Sequence, residues 1–461
     1  MMSAFSTLER TRLLNAIVQD FSSRVNALLD FAADHQDASL AELEQQAHQL
    51  STDALAPVVA ALAQQPRNRV EAHAASNSPC GHQRRYKGCF SRTLITRVGA
   101  ISLRRGYYYC ELCRQGYFPL DVALGLDESQ FSDGVQQGVC RLAAELPFER
   151  AAATWSALSG VAISSRALGR VAEARGQQLE TALAGGQQRL AQGQPVAPDP
   201  NPPRALRHQG VGVWAVALDA AKVQFRDDWH EVKAGVVFWA QPKPRAQPQQ
   251  GELDGAVGSG QSYVAVVGSM QEAAARLALE AARRGIGAEE QVVCLGDGAA
   301  SIWAAFASYF PKRVEVLDWY HAMEHLWAAG KGLYPENAAA AGAWVRAREE
   351  ELWAGRVGQV IAALKQAAEQ EPNGQAAAGE LHYFETNAGR MEYGQYRAAG
   401  YPIGSGSVES ACKRVIGARA KGGGMRWSKP GVQGVLALRA ELLSGRWEQS
   451  WPLTRPLPDA A

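Results

Sequence analysis

The sequence predicts a multidomain α/β protein, and three observations carry that expectation. From residue 211 onward, apolar strand-like runs alternate with amphipathic helical ones, the pattern of a sheet covered by helices. Residues 77–127 are β-rich and basic and hold four of the seven cysteines. On either side of them, in 1–76 and 128–190, apolar residues recur at three- and four-residue steps, as helices require. With 461 residues, 47% of them hydrophobic and 20% charged, the chain has room for more than one core.

Residues 1–76 form an N-terminal helical region. LLNAIVQDFSSRVNALLDFAA is amphipathic, and SLAELEQQAHQL opens on a serine cap signal at Ser39. Packing against another domain and self-association are both open uses for it. The region is acidic, with five Lys/Arg against nine Asp/Glu.

Charge reverses in the next module. Residues 82–114 carry eight Lys/Arg against one acid, Glu111, so Arg84, Arg85 and Lys87, with Arg92, Arg104 and Arg105, are candidate phosphate contacts. Cys110 and Cys113 form a CxxC pair, preceded by Cys80 and Cys89. Zinc takes thiolate and imidazole ligands in a tetrahedron. The candidate zinc set is therefore Cys80, Cys89, Cys110 and Cys113, with His82 an alternative fourth ligand in a small zinc-ribbon-like module. A metal-free ribbon held by its aromatic residues is the competing reading.

Residues 128–190 return to helix. FERAAATWSALSG and the helix opening at Ser164 or Ser165 are joined through Gly160, in the manner of a helix-turn-helix or of an ordinary αα-hairpin. Arg166 and Arg170 lie one turn apart on the second helix and are candidate DNA contacts. Residues 191–210 read as a Pro-rich linker. VGVWAVALDA, HEVKAGVVFWA, SYVAVVGS, QVVCLGD and RVEVL then read as strands within 211–326. QPKPRAQPQQGELDGAVGSGQ (241–261) reads as a long polar loop at a hairpin tip. Residues 327–385 are helical without strand signals. Residues 386–450 hold a helix beginning near Ser405 or Ser407, and 451–461 form a tail.

Three carboxylates stand out. Asp219 and Asp297 end apolar strand-like runs, and Glu409 lies on the helix of PIGSGSVESACK. Carboxyl ends of strands are where such sheets present ligand-facing groups, and Gly298 lets the chain turn tightly after Asp297. Magnesium and manganese prefer oxygen ligands. Two such ions held by carboxylates can activate a water or sugar hydroxyl and stabilise the leaving oxygen. Residues 410–447 again carry eight Lys/Arg against one acid, Glu441. Lys413, Arg414, Arg419, Lys421 and Arg426 are candidate phosphate contacts, Trp427 either a base-stacking platform or a plain core residue, and Arg390 and Arg397 a possible extension of that surface. His321, Glu324 and His325 match HxxEH, a zinc-protease spacing.

LGDGAASIW, VLDWYHAMEHLW and above all PIGSGSVESACKRVIGARAKGGGMRWSKPGVQGVLALRAELLSGRW resemble the ISKra-type insertion-sequence transposases, bacterial DDE enzymes with an RNase H-like catalytic domain. The resemblance covers roughly residues 75–450, and Pro402–Trp447 is its most distinctive part. It implies that Asp219, Asp297 and Glu409 are catalytic and hold two magnesium or manganese ions. It implies cleavage of the element's ends, then attack of the freed 3′-hydroxyl on target DNA. It also implies an RNase H-like mixed sheet whose core, 211–326 and 386–450, is divided by the helical insertion 327–385. The separation of 112 positions from Asp297 to Glu409 requires such an insertion in any case. Asp318 and His321 then become supporting residues near the active site. The family's cysteine module opens with a CPxC pair; Asn77 stands where the first cysteine would be, which leaves Cys80 without its partner.

Double-stranded DNA, as the terminal inverted repeats and the target, is the expected partner, and pairing of two ends implies a homo-oligomer. Competing readings are an inactive transposase-derived DNA-binding protein, a structure-specific nuclease, and more remotely an HxxEH zinc protease. Seven cysteines in so long a chain make no disulfide framework, the N-terminus lacks a signal-peptide h-region, and no apolar run would span a bilayer. A soluble cytoplasmic, nucleoid-associated protein without a membrane partner is expected.

Overall fold

The computed structural model describes residues 7–65, 67–72, 81–199, 212–244, 253–404 and 406–451. They are mixed α/β and form two compact units, residues 1–172 with 451–461, and residues 173–450.

In the first unit, α1 (Thr7–Asp34) and α2 (Leu40–Gln64) pack on each other. The start of α2 is fixed by a capping box, in which Ser39 and Glu42 satisfy each other's backbone N–H groups. After α3 (Arg67–Ala72) come β1 (Arg85–Thr96), β2 (Gly99–Cys110) and β3 (Gln115–Tyr117), an antiparallel sheet in that order. Its buried Leu94, Ile101 and Leu103 pack on Ala56, Val59, Ala60 and Ala63 of α2. The core of this three-stranded sheet is therefore shared with α2, a dependence its short sequence did not express. Next are α4 (Pro119–Leu124), α5 (Asp133–Glu145), α6 (Phe148–Ser159) and α7 (Ser165–Ala191). Gly160 ends α6 at φ 69, a left-handed cap that glycine adopts without steric cost. Two helices joined through Gly160 lie in 148–176, as expected of either a helix-turn-helix or an ordinary αα-hairpin. At 27 residues, however, α7 runs far beyond a recognition helix and on into the second unit.

The second unit is built on five strands, β4 (Val213–Gln224), β5 (Trp229–Pro244), β6 (Leu253–Val266), β7 (Val292–Gly296) and β8 (Arg313–Leu317). Their order is β6-β5-β4-β7-β8. The first three form an antiparallel meander, while β7 and β8 run parallel to β4. The polar stretch 241–261 is shorter as a loop than its composition suggested, because β5 runs to Pro244 and β6 starts at Leu253. Strand β7 is buried along its whole length, which its apolar sequence requires.

Helices follow: α8 (Met270–Arg283), α9 (Ala300–Tyr309), α10 (Trp319–Leu333), α11 (Ala338–Trp353), α12 (Val357–Gln370), α13 (Gln375–Asn387), α14 (Tyr393–Ala398), α15 (Gly406–Ala411), α16 (Ala418–Ala420) and α17 (Lys429–Leu443). A π-helical segment, Cys412–Gly417, continues α15. Helix α17 covers the open edge of β6: Gln433 accepts from Val267 N–H at 2.6 Å and donates to Ala265 C=O at 3.1 Å, and Ser444 accepts from Tyr263 N–H at 2.9 Å. Covering an edge strand in this way blocks pairing with another chain.

The described part of the Pro-rich linker is docked at its end. Asp199 is buried, its N–H bonds Arg283 C=O at 2.7 Å, and its carboxylate faces Arg446. Arg446 also pairs with Glu280 and Glu441 at 2.8 and 2.9 Å in an almost fully buried cluster. No helix among the described residues is long and apolar enough to cross a membrane.

Candidate metal and nucleic-acid site

Strand register sets two of the three carboxylates side by side. The last parallel pair of β4 and β7 is Ala217 with Leu295, and Asp219 and Asp297 follow two residues later on each chain. Asp219 is not at the end of its own strand, as the sequence suggested. β4 continues to Gln224 and pairs Asp219 with Ala234 of β5; it is β7 that stops. The aspartates therefore mark where the parallel half of the sheet opens.

Each has one oxygen tied locally. Asp219 Oδ1 accepts Ala220 N–H at 2.6 Å, and Asp297 Oδ1 accepts Ala299 N–H at 2.8 Å. Burial pushes the Asp219 carboxyl above its usual range. The bonds from Ala220 and the Cys412 thiol oppose that shift, while the negative charge of Asp297 adds to it.

Glu409 arrives on α15, which packs against β4 and β5. Its carboxylate is exposed and held by Lys413 at 2.5 Å. Cys412, three residues on, is buried and donates to Asp219; burial first, then the Asp219 charge, pushes its thiol pKa up. The Glu409 helix is thus latched to Asp219 through Cys412 while Glu409 itself faces Lys413. Among the described residues, only His82, Cys110 and Cys113 bring three candidate ligand atoms within 4.8 Å of one another. The three carboxylates do not close to that distance.

Helix α10 supplies a cationic neighbour. Asp318 is fully buried and caps the helix, accepting His321 N–H at 3.2 Å and the His321 Nδ1 proton at 2.6 Å. That bond raises the His321 pKa to about 9 against the opposing effect of burial, and Asp297 contributes further. The imidazole is therefore an imidazolium near neutral pH, in the electrostatic field of both aspartates. His325, one turn later, has other partners: its Nδ1 meets Glu380 at 2.5 Å and its ring stacks on Tyr383 at 3.5 Å. The two histidines have separate partners, and among the described residues neither belongs to a group of three candidate ligand atoms.

The cysteine cluster differs from the expected set. His82 Nδ1 lies 3.1 Å from Cys113 Sγ, and Cys113 N–H points at Cys110 Sγ at 3.4 Å. Cys89 is not part of it; on β1 its sulfur accepts from Arg67 at 3.3 Å. Cys80 and Asn77 lie outside the described residues. Two thiolates and one imidazole are donors that zinc favours.

The basic candidates divide by burial. Arg166 and Arg170 are exposed on α7, as are Lys421 and Arg426 after the π segment. Arg85 and Lys87 are exposed beside Glu111 at 3.4 and 3.5 Å. Lys413 holds Glu409, and Arg414 donates to the Tyr263 hydroxyl at 3.0 Å.

The others are structural, which corrects the expectation. Arg84 is buried and stacks on Tyr117 at 3.9 Å. Arg390 pairs with Glu315 at 2.6 Å and lies over Trp303, and Arg397 lies 3.5 Å over Trp353. Arg419 is 1% exposed, its pKa lowered to about 10 by burial and Arg439. Trp427 is a core residue whose indole donates to Ala420 C=O at 3.1 Å, so it offers no face for a base. Planar guanidinium and indole groups serve packing as readily as phosphate or base contact, and sequence alone does not separate the two uses.

Two residues of the site carried no mark in the sequence reading. Cys412 sits three positions after Glu409, and helical spacing places them on one face, a usable signal. Tyr383 donates to Asp297 C=O from 86 residues away, and nothing local announces it. Neither a protein-family model nor a curated protein matches this chain.

Proposed function

We propose that this chain is a metal-dependent DNA transposase of the DDE type, with an RNase H-like core that cuts element ends and joins them to target DNA. The observation that carries the reading is the level placement of Asp219 on β4 and Asp297 just past the end of the parallel β7, with the Glu409 helix latched to Asp219. A sheet ordered 3-2-1-4-5 within its unit, antiparallel on one side and parallel on the other, agrees with such a core.

The donor set suits magnesium or manganese. Two carboxylates sit together half-buried, one raising the pKa of the other, and a hard divalent cation relieves that repulsion with the oxygen ligands it prefers. Glu409 would join them by leaving Lys413, an exposed ion pair whose loss costs roughly 0.2–1 kcal/mol. Bound ions would lower the pKa of an attacking water or 3′-hydroxyl and stabilise the leaving oxygen.

The chain's own groups do the rest. Asp219 and Asp297, joined by Glu409 once it leaves Lys413, would bring negative charge to one place. Asp318 keeps the proton on His321 Nδ1, so that His321 presents positive charge beside the carboxylates for a substrate phosphate. Lys413, Arg414, Lys421 and Arg426 would hold the DNA backbone near Glu409, and Arg85, Lys87, Arg166 and Arg170 would contact the terminal repeats. The zinc-ribbon-like module would be a structural zinc site.

The test is strand cleavage of a duplex carrying the element's end, with magnesium or manganese. Asp297→Ala should abolish cutting and joining while duplex binding persists. Cutting at the wild-type rate by that variant refutes the assignment, and a wild-type protein that binds but never cuts refutes the enzyme.

A further inference from the structure

We propose that Tyr383 is a positioning residue for Asp297, through which the helical insertion holds the turn that carries one of the site's carboxylates. This rests on Asp297 being a ligand carboxylate, as in the function proposed above. The tyrosine belongs to α13, in the helical stretch between the two halves of the sheet domain, and its hydroxyl donates to Asp297 C=O at 2.8 Å.

Its ring closes on the next residue. Gly298 has φ +105, and a Cβ there would lie 2.7 Å from the Tyr383 ring and 3.2 Å from Asn387 Nδ2. Glycine is required both for the conformation and for the approach. With Ala299 N–H on Asp297 Oδ1 at 2.8 Å, the turn is pinned through its carbonyl and its side chain.

Tyr383 is itself held on two sides. Its ring stacks on His325 at 3.5 Å with planes 22° apart, and His325 is fixed by Glu380 at 2.5 Å. Asn387 Nδ2 donates to Tyr383 C=O at 3.0 Å. The second histidine of the HxxEH spacing thereby has a physical role as the plate on which this tyrosine rests. The Asp297 carbonyl accepts the hydrogen bond of the Tyr383 hydroxyl but is too weak a base to take its proton, so Tyr383 acts on geometry and not as an acid. Partners one step behind a ligand typically contribute about 10–100-fold to metal affinity or activity by fixing ligand orientation.

The experiment is Tyr383→Phe in the full chain, which keeps the ring and deletes one hydroxyl. The manganese concentration for half-maximal strand cleavage should rise about tenfold, with KM for DNA unchanged. Manganese binding without DNA, read by electron paramagnetic resonance, should weaken by the same factor. Amide hydrogen exchange at residues 298–300 should accelerate, with the metal-free melting temperature preserved. Wild-type exchange and wild-type manganese affinity in this variant would overturn the proposal.

If Tyr383→Phe fails to fold, Glu380→Gln loosens His325 and should move the same readouts in the same direction by a smaller factor; no movement overturns the proposal equally. If the wild-type chain cuts no DNA, the proposed function fails, while exchange and manganese binding still decide what Tyr383 does.

Discussion

The buried carboxylate of Asp318 holds the Nδ1 proton of His321 at 2.6 Å, within one turn of α10. One aspartate thus starts the helix and fixes the charge and orientation of an imidazole that also feels the negative charge of Asp297.

A pH dependence follows. The folded-state pKa of His321, about 9, lies above its ordinary 6.5. The stability contributed by this bond is therefore fully present below pH 6.5 and is lost as pH rises through about 9. Asp318→Asn keeps a capping side chain but no charge. Its His321 resonance in NMR should titrate close to 6.5, and the alkaline loss of stability over that window should flatten. Titration still near 9 in the variant would show that another group holds the proton.

Helices α7 and α17 meet glycine to glycine. A Cβ on Gly176 would lie 2.4 Å from the backbone of Gly434, whereas one on Gly434 meets nothing closer than 3.3 Å. Ala normally stabilises a helix interior over Gly by about 1 kcal/mol. Here Gly176→Ala should instead destabilise by about 2 kcal/mol or more, the cost of forcing packed elements apart. Gly434→Ala should cost clearly less. Urea denaturation of the two variants checks the asymmetry, and equal effects would contradict it.

The Arg446 cluster predicts a large loss. Arg446→Met leaves Asp199, Glu280 and Glu441 buried without their shared cation, a change expected to cost about 3–5 kcal/mol in a denaturation curve. Burial alone would push Glu441 up, but Arg446 and Arg283 outweigh it and hold the carboxyl down to about 2. Its contribution is present above its ordinary 4.5 and is lost as pH falls toward 2. The stability gap between wild type and Glu441→Gln should therefore narrow across that acid window.

Zinc content separates the cysteines. Cys113→Ser and His82→Ala should lose bound zinc, measured by mass spectrometry of the purified protein, and melt at lower temperature. Cys89→Ser should retain zinc, because its sulfur faces Arg67. Loss of zinc from Cys89→Ser would contradict this ligand set.

Much of the architecture was legible in the residues. Strand and helix periodicity marks β4, β7, β8, α9 and α10, since burial on a sheet or helix face imposes a repeat that local sequence records. The Ser39 cap, the turn at Gly160 and the need for glycine after Asp297 were legible for the same reason, because each is a local backbone demand. Side-chain employment was not. Arg84, Arg390, Arg397 and Arg419 read as nucleic-acid contacts, yet each is used in packing or an internal pair, and of the two uses open to Trp427 the fold takes the core one. Cys89 read as a ligand and is engaged by Arg67.

By itself, then, the chain's chemistry determined which segments fold as strand or helix and which carboxylates stand where β4 and β7 diverge. Only the tertiary structure decided which cations remain exposed, that Glu409 rests on Lys413, and that Tyr383 reaches Asp297 across 86 residues. The physical reason is range: backbone propensity and periodicity act over a few residues, whereas burial and ion pairing are settled by whatever the fold brings alongside.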